Sequence, residues 1–304
     1  MTATFLDLKI NESLIEGLKK QGIEEPTAIQ ANAIPLGLEN KDIIGQSQTG
    51  SGKTLAYLLP IFHKVDSSKR EMQAIILAPT HELVMQIEKQ IKTLAENSEI
   101  PMKSISIIGN VNIDRQIEKL REKPHIIVGS AGRILELIKR KKINAQTVKT
   151  IVIDEGDRLL DDNNIGVIKD VIKTTQRDRQ LMVFSATIND RAMTISKELK
   201  KDAVVVKAEA KEKLNPNVEH IYFLTEQRDK IEMLRKLIAA MEPPKAIVFI
   251  NKSDEIEITT NKLKYHKLRA VGIYGAAEKE DRKKALEGFR GDKYQLLVAS
   301  ELAA

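Results

Sequence analysis

No cysteine occurs among the 304 residues, which excludes disulfides and thiolate metal sites; a reducing cytoplasm suits such a chain without being required. Equally absent is any apolar run near the roughly 20 residues that cross a bilayer, so no membrane attachment is expected. The opening Met1-Thr2-Ala3-Thr4-Phe5-Leu6-Asp7 has neither a basic flank nor a signal-type apolar core, which argues against secretion and for a cytoplasmic protein. No short-period repeat and no low-complexity tract is found. What is present is a balanced chain, 42% hydrophobic and 30% charged, enough to build about two soluble α/β domains. Lys plus Arg exceeds Asp plus Glu by 49 to 43, a net +6. That surplus is compatible with a polyanionic partner, although at this size it is more often solvated surface.

Amphipathic Asn11–Gln21 runs into Gly22-Ile23-Glu24-Glu25-Pro26-Thr27, where Gly and Pro stop it, and a second helix is expected to start near Ala28. Apolar, β-rich runs then recur at Ala74–Ala78, Ser104–Ile108, His125–Val128, Thr150–Ile153, Leu181–Phe184 and Ala203–Val206, nearly all separated by helical stretches. Runs apolar on both faces and spaced by helices are what a parallel sheet covered on both sides requires. Residues 1–208 are therefore expected to form one doubly wound α/β domain. Residues 209–217, charged and containing Asn215-Pro216-Asn217, are expected to be a linker. The pattern resumes over 218–304, with strands expected at His220–Leu224, Ala246–Ile250, Leu268–Ile273 and Gln295–Ala299. Helices are expected there at Lys230–Met241, Glu255–Tyr265 and Glu280–Phe289. This second α/β domain has too few residues to match the first.

Ser47-Gln48-Thr49-Gly50-Ser51-Gly52-Lys53-Thr54 follows the apolar run Asp42-Ile43-Ile44-Gly45 and precedes helix-like Leu55–Leu59. Gly50 and Gly52, lacking a Cβ, let backbone N–H groups converge on phosphate oxygens at the positive end of the following helix. Lys53 would add a charge for the β/γ-phosphates, and Thr54 a hydroxyl for Mg²⁺. The strict pattern has Gly where this chain has Ser47. The alternative is a glycine-rich turn with an exposed lysine.

Val152-Ile153-Asp154-Glu155 ends an apolar strand in two acids, where an open α/β sheet places its ligand-binding groups. Asp154 is a candidate for holding Mg²⁺ through water, and Glu155 for orienting and deprotonating a water that attacks ATP. By itself an Asp-Glu pair could equally be an acidic helix start, favoured by the helix dipole by about 0.3–1 kcal/mol.

These motifs, in this order, resemble the DEAD-box RNA helicases. Asp154-Glu155-Gly156-Asp157 stands where that family has its name-giving tetrad, and Gly22–Gln30, with Pro26, Thr27 and Gln30, resembles its Q motif. Phe5 lies 17 residues before Gly22, where the family carries an isolated aromatic. The resemblance implies two RecA-like domains in tandem, ATP and Mg²⁺ as cofactors, and adenine contact by Gln30 and Phe5. Ser185-Ala186-Thr187 is similar to the family's SAT motif, which implies that Ser185 and Thr187 link the nucleotide site to strand separation by hydrogen-bonding the tetrad.

The RNA-facing motifs match less closely. Pro79-Thr80-His81-Glu82-Leu83-Val84-Met85-Gln86 resembles PTRELAxQ with His81 in place of Arg, and Ser130-Ala131-Gly132-Arg133 resembles TPGR with two changes. Gly109-Asn110 stands where the family has a Gly pair. Pro79, Thr80, His81, Gly109, Ser130, Gly132 and Arg133 are the resulting RNA-binding candidates, acting on the phosphate backbone without sequence preference. At His81 a permanent cation gives way to a group mostly neutral at pH 7. No basic tail or separate RNA-binding module adds specificity.

In residues 218–304, Ala246–Asn251 resembles motif IV, Tyr274-Gly275 stands for His-Gly, Arg282 keeps the end of QxxR while Lys279 replaces its Gln, and Val298–Ala304 resembles the opening of motif V. The arginines that the family aims at the γ-phosphate are not in these 304 residues, and such an arginine is worth roughly 10³–10⁵ in rate. The resemblance therefore implies an ATP-dependent RNA helicase that is impaired in this shortened form. A monomer is expected. The alternative is a non-catalytic module that binds RNA or a protein under ATP control.

Overall fold

The computed structural model describes residues 3–109, 111–187, 194, 202–208, 218–274 and 279–300. The chain divides into two compact units, Met1–Asn215 and Pro216–Ala304. The expected linker at 209–217, Asn110, Gly275 and the end of the motif V segment at 301–304 lie outside the described residues.

The described residues of the first unit contain seven strands: β1 Ile43–Gln46, β2 Ala74–Leu77, β3 Ser104–Ile107, β4 Ile126–Gly129, β5 Thr150–Ile153, β6 Gln180–Ser185 and β7 Val204–Lys207. All pair in parallel, in the order β3-β4-β2-β5-β6-β1-β7. Among the described residues eight helices accompany them: α1 Glu12–Lys19, α2 Ala28–Leu38, α3 Lys53–Lys64, α4 His81–Asn97, α5 Ile113–Leu120, α6 Ala131–Lys139, α7 Gly156–Leu159 and α8 Ile165–Thr174.

Two apolar layers explain why both faces of each inner strand are hydrophobic. Successive strand side chains point to opposite faces. Ile76, Val128, Val152, Met182 and Phe184 therefore meet Leu18, Ile34, Leu58 and Ile91 from α1–α4. Ile75, Ile127, Ile151, Ile153 and Val183 meet Ile134 and Leu137 of α6 and Ile168 and Val171 of α8. The edge strands depart from the rule: β3 alternates serine with isoleucine, and β7 buries fully only Val206.

The second unit carries β8 Ala246–Phe249, β9 Ala270–Ile273 and β10 Leu296–Ala299 in the parallel order β8-β10-β9. Its helices are α9 Lys230–Met241, α10 Ser253–Tyr265 and α11 Lys279–Arg290. Leu296 and Val298 pack with Ile238, Ile256 and Leu263 on one side, while Leu297 packs with Ile273 and Ala285 on the other.

One expected strand does not form. His220–Leu224 has no strand structure, and Ile221, Tyr222, Phe223 and Leu224 are all exposed, Tyr222 at 84%. Apolar composition alone suggested the strand, but a strand exists only through a neighbouring ladder. The described sheet of this unit consists of β8, β10 and β9 and places no partner beside the segment.

Candidate functional site

Sheet order brings the motifs together. Strands β5, β6 and β1 are neighbours, so the loop after β1 (residues 47–54), Asp154-Glu155 after β5 and Ser185–Thr187 at the end of β6 share one end of the sheet. The other half of that edge, β3-β4-β2, carries Gly109, Ser130–Arg133 and Pro79–His81. Nucleotide candidates and RNA candidates thus occupy adjoining halves of a single strand edge.

The glycine-rich loop turns through two left-handed residues, Gly50 at φ 79° and Gly52 at φ 91°, the second capping α3. A Cβ at Gly52 would collide with the Gln30 amide, so both conformation and space require glycine there. Gln30, 2% exposed, uses both ends of its amide: Oε1 accepts the Thr27 N–H at 3.0 Å and Nε2 donates to the Gly52 carbonyl at 3.1 Å. The start of α2 is thereby tied to the phosphate-type loop. Pro26 is half-buried and Thr27 exposed just before α2, while Gln48 and Thr49 are exposed. Ser47 is buried and donates its N–H to the Ser185 carbonyl at 3.1 Å. The Ser51 hydroxyl is buried and has no hydrogen-bond partner among the described residues.

The Lys53 ammonium lies within the loop, donating to the carbonyls of Ser47 at 2.7 Å and Gln48 at 2.8 Å. Burial pulls its pKa down, opposed by the nearby carboxylates of Asp154, Asp157 and Glu155. Asp154 is buried. Its Oδ1 accepts the Glu155 N–H at 2.9 Å and its Oδ2 accepts the Tyr57 hydroxyl at 2.9 Å. Burial raises the Asp154 pKa, and these two hydrogen bonds oppose the rise. Tyr57, fully buried on α3, stands against the Phe184 ring with centroids 5.5 Å apart. Burial and then Asp154 push the phenol well above its usual value near 10, while a hydrogen bond with Thr54 acts the other way.

Glu155 adopts a left-handed conformation, φ 50°, as the cap of α7. A glutamate held there costs on the order of 1–3 kcal/mol, the kind of strain found at reactive sites. Its Oε2 is buried and accepts no hydrogen bond among the described residues, and Arg158 Nη1 stands 3.5 Å from it at ion-pair distance. Burial raises the Glu155 pKa, partly offset by Arg158. A carboxylate whose Oε2 accepts no hydrogen bond, though it is ion-paired with Arg158, and whose pKa is raised is suited to accept a proton from water.

Ser185, Thr187 and Asp157 close a ring of hydrogen bonds. The Asp157 N–H donates to Ser185 Oγ at 3.2 Å, Ser185 Oγ donates to the Thr187 carbonyl at 2.6 Å, and Thr187 Oγ1 donates to Asp157 Oδ2 at 2.7 Å. Gly156 does not prevent this ring. A Cβ there would lie 2.8 Å from Val183 Cγ1, so the missing methyl group fits the neighbouring strand.

Phe5 is 2% exposed in the core with Leu8 and Ile10, which supports a packing role for its ring. On the other half of the edge, Thr80 caps α4 by accepting the Leu83 N–H at 3.2 Å, and His81 opens that helix half-buried beside Pro79. Gly109 lies in the turn after β3, and Ser130 precedes α6 without a side-chain capping bond. Gly132 is exposed with open space at its Cα, whereas Arg133 is engaged, donating to the Val111 carbonyl at 3.1 Å and pairing with Glu136 at 3.1 Å.

Two positions beside the candidates were not singled out in the sequence. The hydrogen bonding of Ser185 and Thr187 to the tetrad was implied by the resemblance, but not that Asp157 is its partner, donating its N–H to Ser185 Oγ and accepting from Thr187 Oγ1. Tyr57 gave one usable signal, its place one turn after Thr54, which sets the two side chains on the same helix face.

These residues suit a magnesium nucleotide: two left-handed glycines open the loop at a helix start, and the buried Ser51 hydroxyl of that loop has no hydrogen-bond partner among the described residues. Among the described residues no cluster of three or more His, Cys, Asp or Glu could enclose a metal. Mg²⁺ is commonly bound with few protein ligands plus substrate phosphates. No helix among the described residues is long and apolar enough to cross a membrane.

The comparisons with known proteins agree with this organisation. The DEAD/DEAH box helicase profile matches residues 27–195 and the helicase conserved C-terminal domain profile matches residues 229–304. The DEAD-box ATP-dependent RNA helicase CshC of Bacillus cereus is 42% identical over 291 residues, covering 96% of this chain and 74% of CshC. The probable ATP-dependent RNA helicase YfmL of Bacillus subtilis is 39% identical over 305 residues, covering 100% of this chain and 80% of YfmL. Among solved structures, S. cerevisiae Dbp5 bound to RNA and ADP BeF3 superposes with a TM-score of 0.86 at 27% identity, covering 98% of this chain and 76% of Dbp5. Both α/β units are therefore RecA-like, and the chain belongs to the DEAD-box ATP-dependent RNA helicase family.

Proposed function

We propose that this protein hydrolyses ATP in response to RNA and uses the cycle to open or remodel short RNA duplexes, acting as a cytoplasmic monomer. The observation that carries this reading is the hydrogen-bonded ring of Asp157, Ser185 and Thr187, which joins the tetrad to β6 beside the glycine-rich loop. The N–H groups of residues 49–54 and the Lys53 ammonium bind the phosphates, and Gln30, with Pro26 and Thr27, faces the adenine. Thr54 and, through water, Asp154 hold Mg²⁺, which supplies charge neutralisation at the phosphates. Glu155 orients the attacking water and takes up its proton. Pro79, Thr80, His81, Gly109, Ser130, Gly132 and Arg133 contact RNA phosphates through hydroxyls, backbone N–H groups and the Arg133 guanidinium.

One observation favours a second reading, an ATP-switched binding module without RNA-stimulated turnover. Arg133, the cation expected to meet RNA, already pairs with Glu136 and Val111. Steady-state ATPase with and without RNA separates the readings. The assay is run beside a version extended to the length of the relatives, since this chain spans 74% and 80% of the two compared. RNA stimulation in either version supports the helicase reading, and none in both supports the module. Glu155→Gln should lower hydrolysis by roughly 10²–10⁴-fold while leaving ATP affinity within a few-fold of the parent. Retained hydrolysis in that variant would remove Glu155 as the base.

A further inference from the structure

We propose that Tyr57 is a positioning residue for magnesium, its hydroxyl fixing the Asp154 carboxylate in the orientation that the metal's water shell meets. This rests on the reading of Asp154 as the magnesium-side carboxylate.

The geometry carries the argument. Asp154 is buried, so either carboxylate oxygen left without a donor would carry a desolvation cost. One donor is the Glu155 N–H, 2.9 Å from Oδ1, and it comes from the backbone next in sequence. The other is the Tyr57 hydroxyl, 2.9 Å from Oδ2, and it comes from α3, the helix that the glycine-rich loop opens. Two donors on opposite oxygens fix the carboxylate plane, while each oxygen keeps a lone pair for a water.

Tyr57 is itself held. Its ring is fully buried against Phe184 of β6. Two χ angles set the position of a tyrosine hydroxyl, and packing of this kind fixes both. The phenol therefore joins three pieces of the site: α3 with its loop, the tetrad after β5, and the strand that leads to Ser185. A phenylalanine would fill the same space and retain the packing, but it would leave Oδ2 without its donor. An apolar core explanation accounts for the ring and not for the hydroxyl, and the hydroxyl is what the proposal concerns.

The test is nucleotide affinity rather than turnover. A fluorescent ADP analogue is titrated into parent and Tyr57→Phe proteins across a range of Mg²⁺ and again in EDTA. The expected result is a Mg²⁺ half-saturation raised about 5- to 20-fold in Tyr57→Phe, with metal-free affinity within about 2-fold of the parent. In an Asp154→Asn background Tyr57→Phe should add nothing, because the residue acts through that carboxylate. Unchanged or lowered Mg²⁺ half-saturation, or equal weakening with and without metal, would overturn the proposal. So would the same effect in the Asp154→Asn background. Failure of the underlying reading shows differently: the parent itself would then bind the analogue with no dependence on Mg²⁺.

Discussion

Gly156 illustrates how a single absent methyl group is matched by a neighbour. Alanine is a better helix former than glycine by up to about 1 kcal/mol, which alone would make Gly156→Ala stabilising. Against that, the new Cβ would lie 2.8 Å from Val183 Cγ1, and a β-branched side chain cannot swing aside freely. Overpacking of this kind costs about 1–3 kcal/mol, so steric crowding should win. We expect Gly156→Ala to lower stability by about 1 kcal/mol in urea unfolding. A double-mutant cycle with Val183→Ala should return a favourable coupling of at least about 0.5 kcal/mol. A stabilised Gly156→Ala single variant would contradict the crowding argument. Among individual residues, those with a motif context were legible in the sequence: Lys53, Asp154 and Glu155 follow β1 and β5 at one end of the sheet, and Gln30 of α2 bonds to the loop at the Gly52 carbonyl. The hydroxyl of Tyr57 was not, since tyrosine on an apolar helix face looks like core, and here the whole side chain is buried while its hydroxyl donates to Asp154.

At the scale of one element, α3 connects two chemically different ends. Its first residue is Lys53 at the glycine-rich loop, and its last is Lys64, whose ammonium turns inward. Lys64 donates to the Gly37 carbonyl at 3.0 Å, to Asn40 Oδ1 at 3.2 Å and to Gln180 Oε1. Gln180 Nε2 donates in turn to the carbonyls of Gly37 at 3.1 Å and Lys41 at 2.6 Å. This cluster ties the ends of α2 and α3 to the start of β6. Burial lowers the Lys64 pKa from the ordinary 10.5 to about 8. Between those two values the unfolded chain binds more protons at this position than the folded one, so stability should rise with pH across that window. Below about pH 8 the lysine is charged in both states and adds no slope. Chemical denaturation from pH 7.5 to 10.5 should show the rise in the parent and a flatter profile in Lys64→Met; parallel profiles would count against it. Element positions were legible because strands covered on both faces read as continuous apolar runs, set between helices with a 3.6-residue period. His220–Leu224 was misjudged because β-rich composition describes a candidate strand, whereas the ladder that makes it one comes from elsewhere in the chain.

For the whole molecule, the two units differ in how deeply they are built. Seven parallel strands sandwiched between two apolar layers form the first, and the described part of the second rests on three strands and smaller cores. Hydrogen exchange should reflect this: amides of β1, β2, β5 and β6 protected longest, those of β8–β10 less, and those of His220–Leu224 exchanging nearly as fast as an unfolded chain. Strong protection over 220–224 would show a partner strand that the described sheet does not provide. The α/β class and tandem RecA-like arrangement followed from alternating strand and helix patterns together with ordered motifs. The strand order did not, because it depends on which crossovers the chain takes.

That strand order has a mechanical consequence. Strands β2 and β5 are far apart in sequence yet paired rung for rung, from Ala74 beside Thr150 to Leu77 beside Ile153, and they lie where the half of the edge with the RNA candidates meets the half with the nucleotide candidates. Force applied to the loops after β2, β3 or β4 therefore crosses into the tetrad through a stiff backbone joint. Displacement at one end of this rim is therefore expected to reach the other through paired backbone rather than through the loops alone.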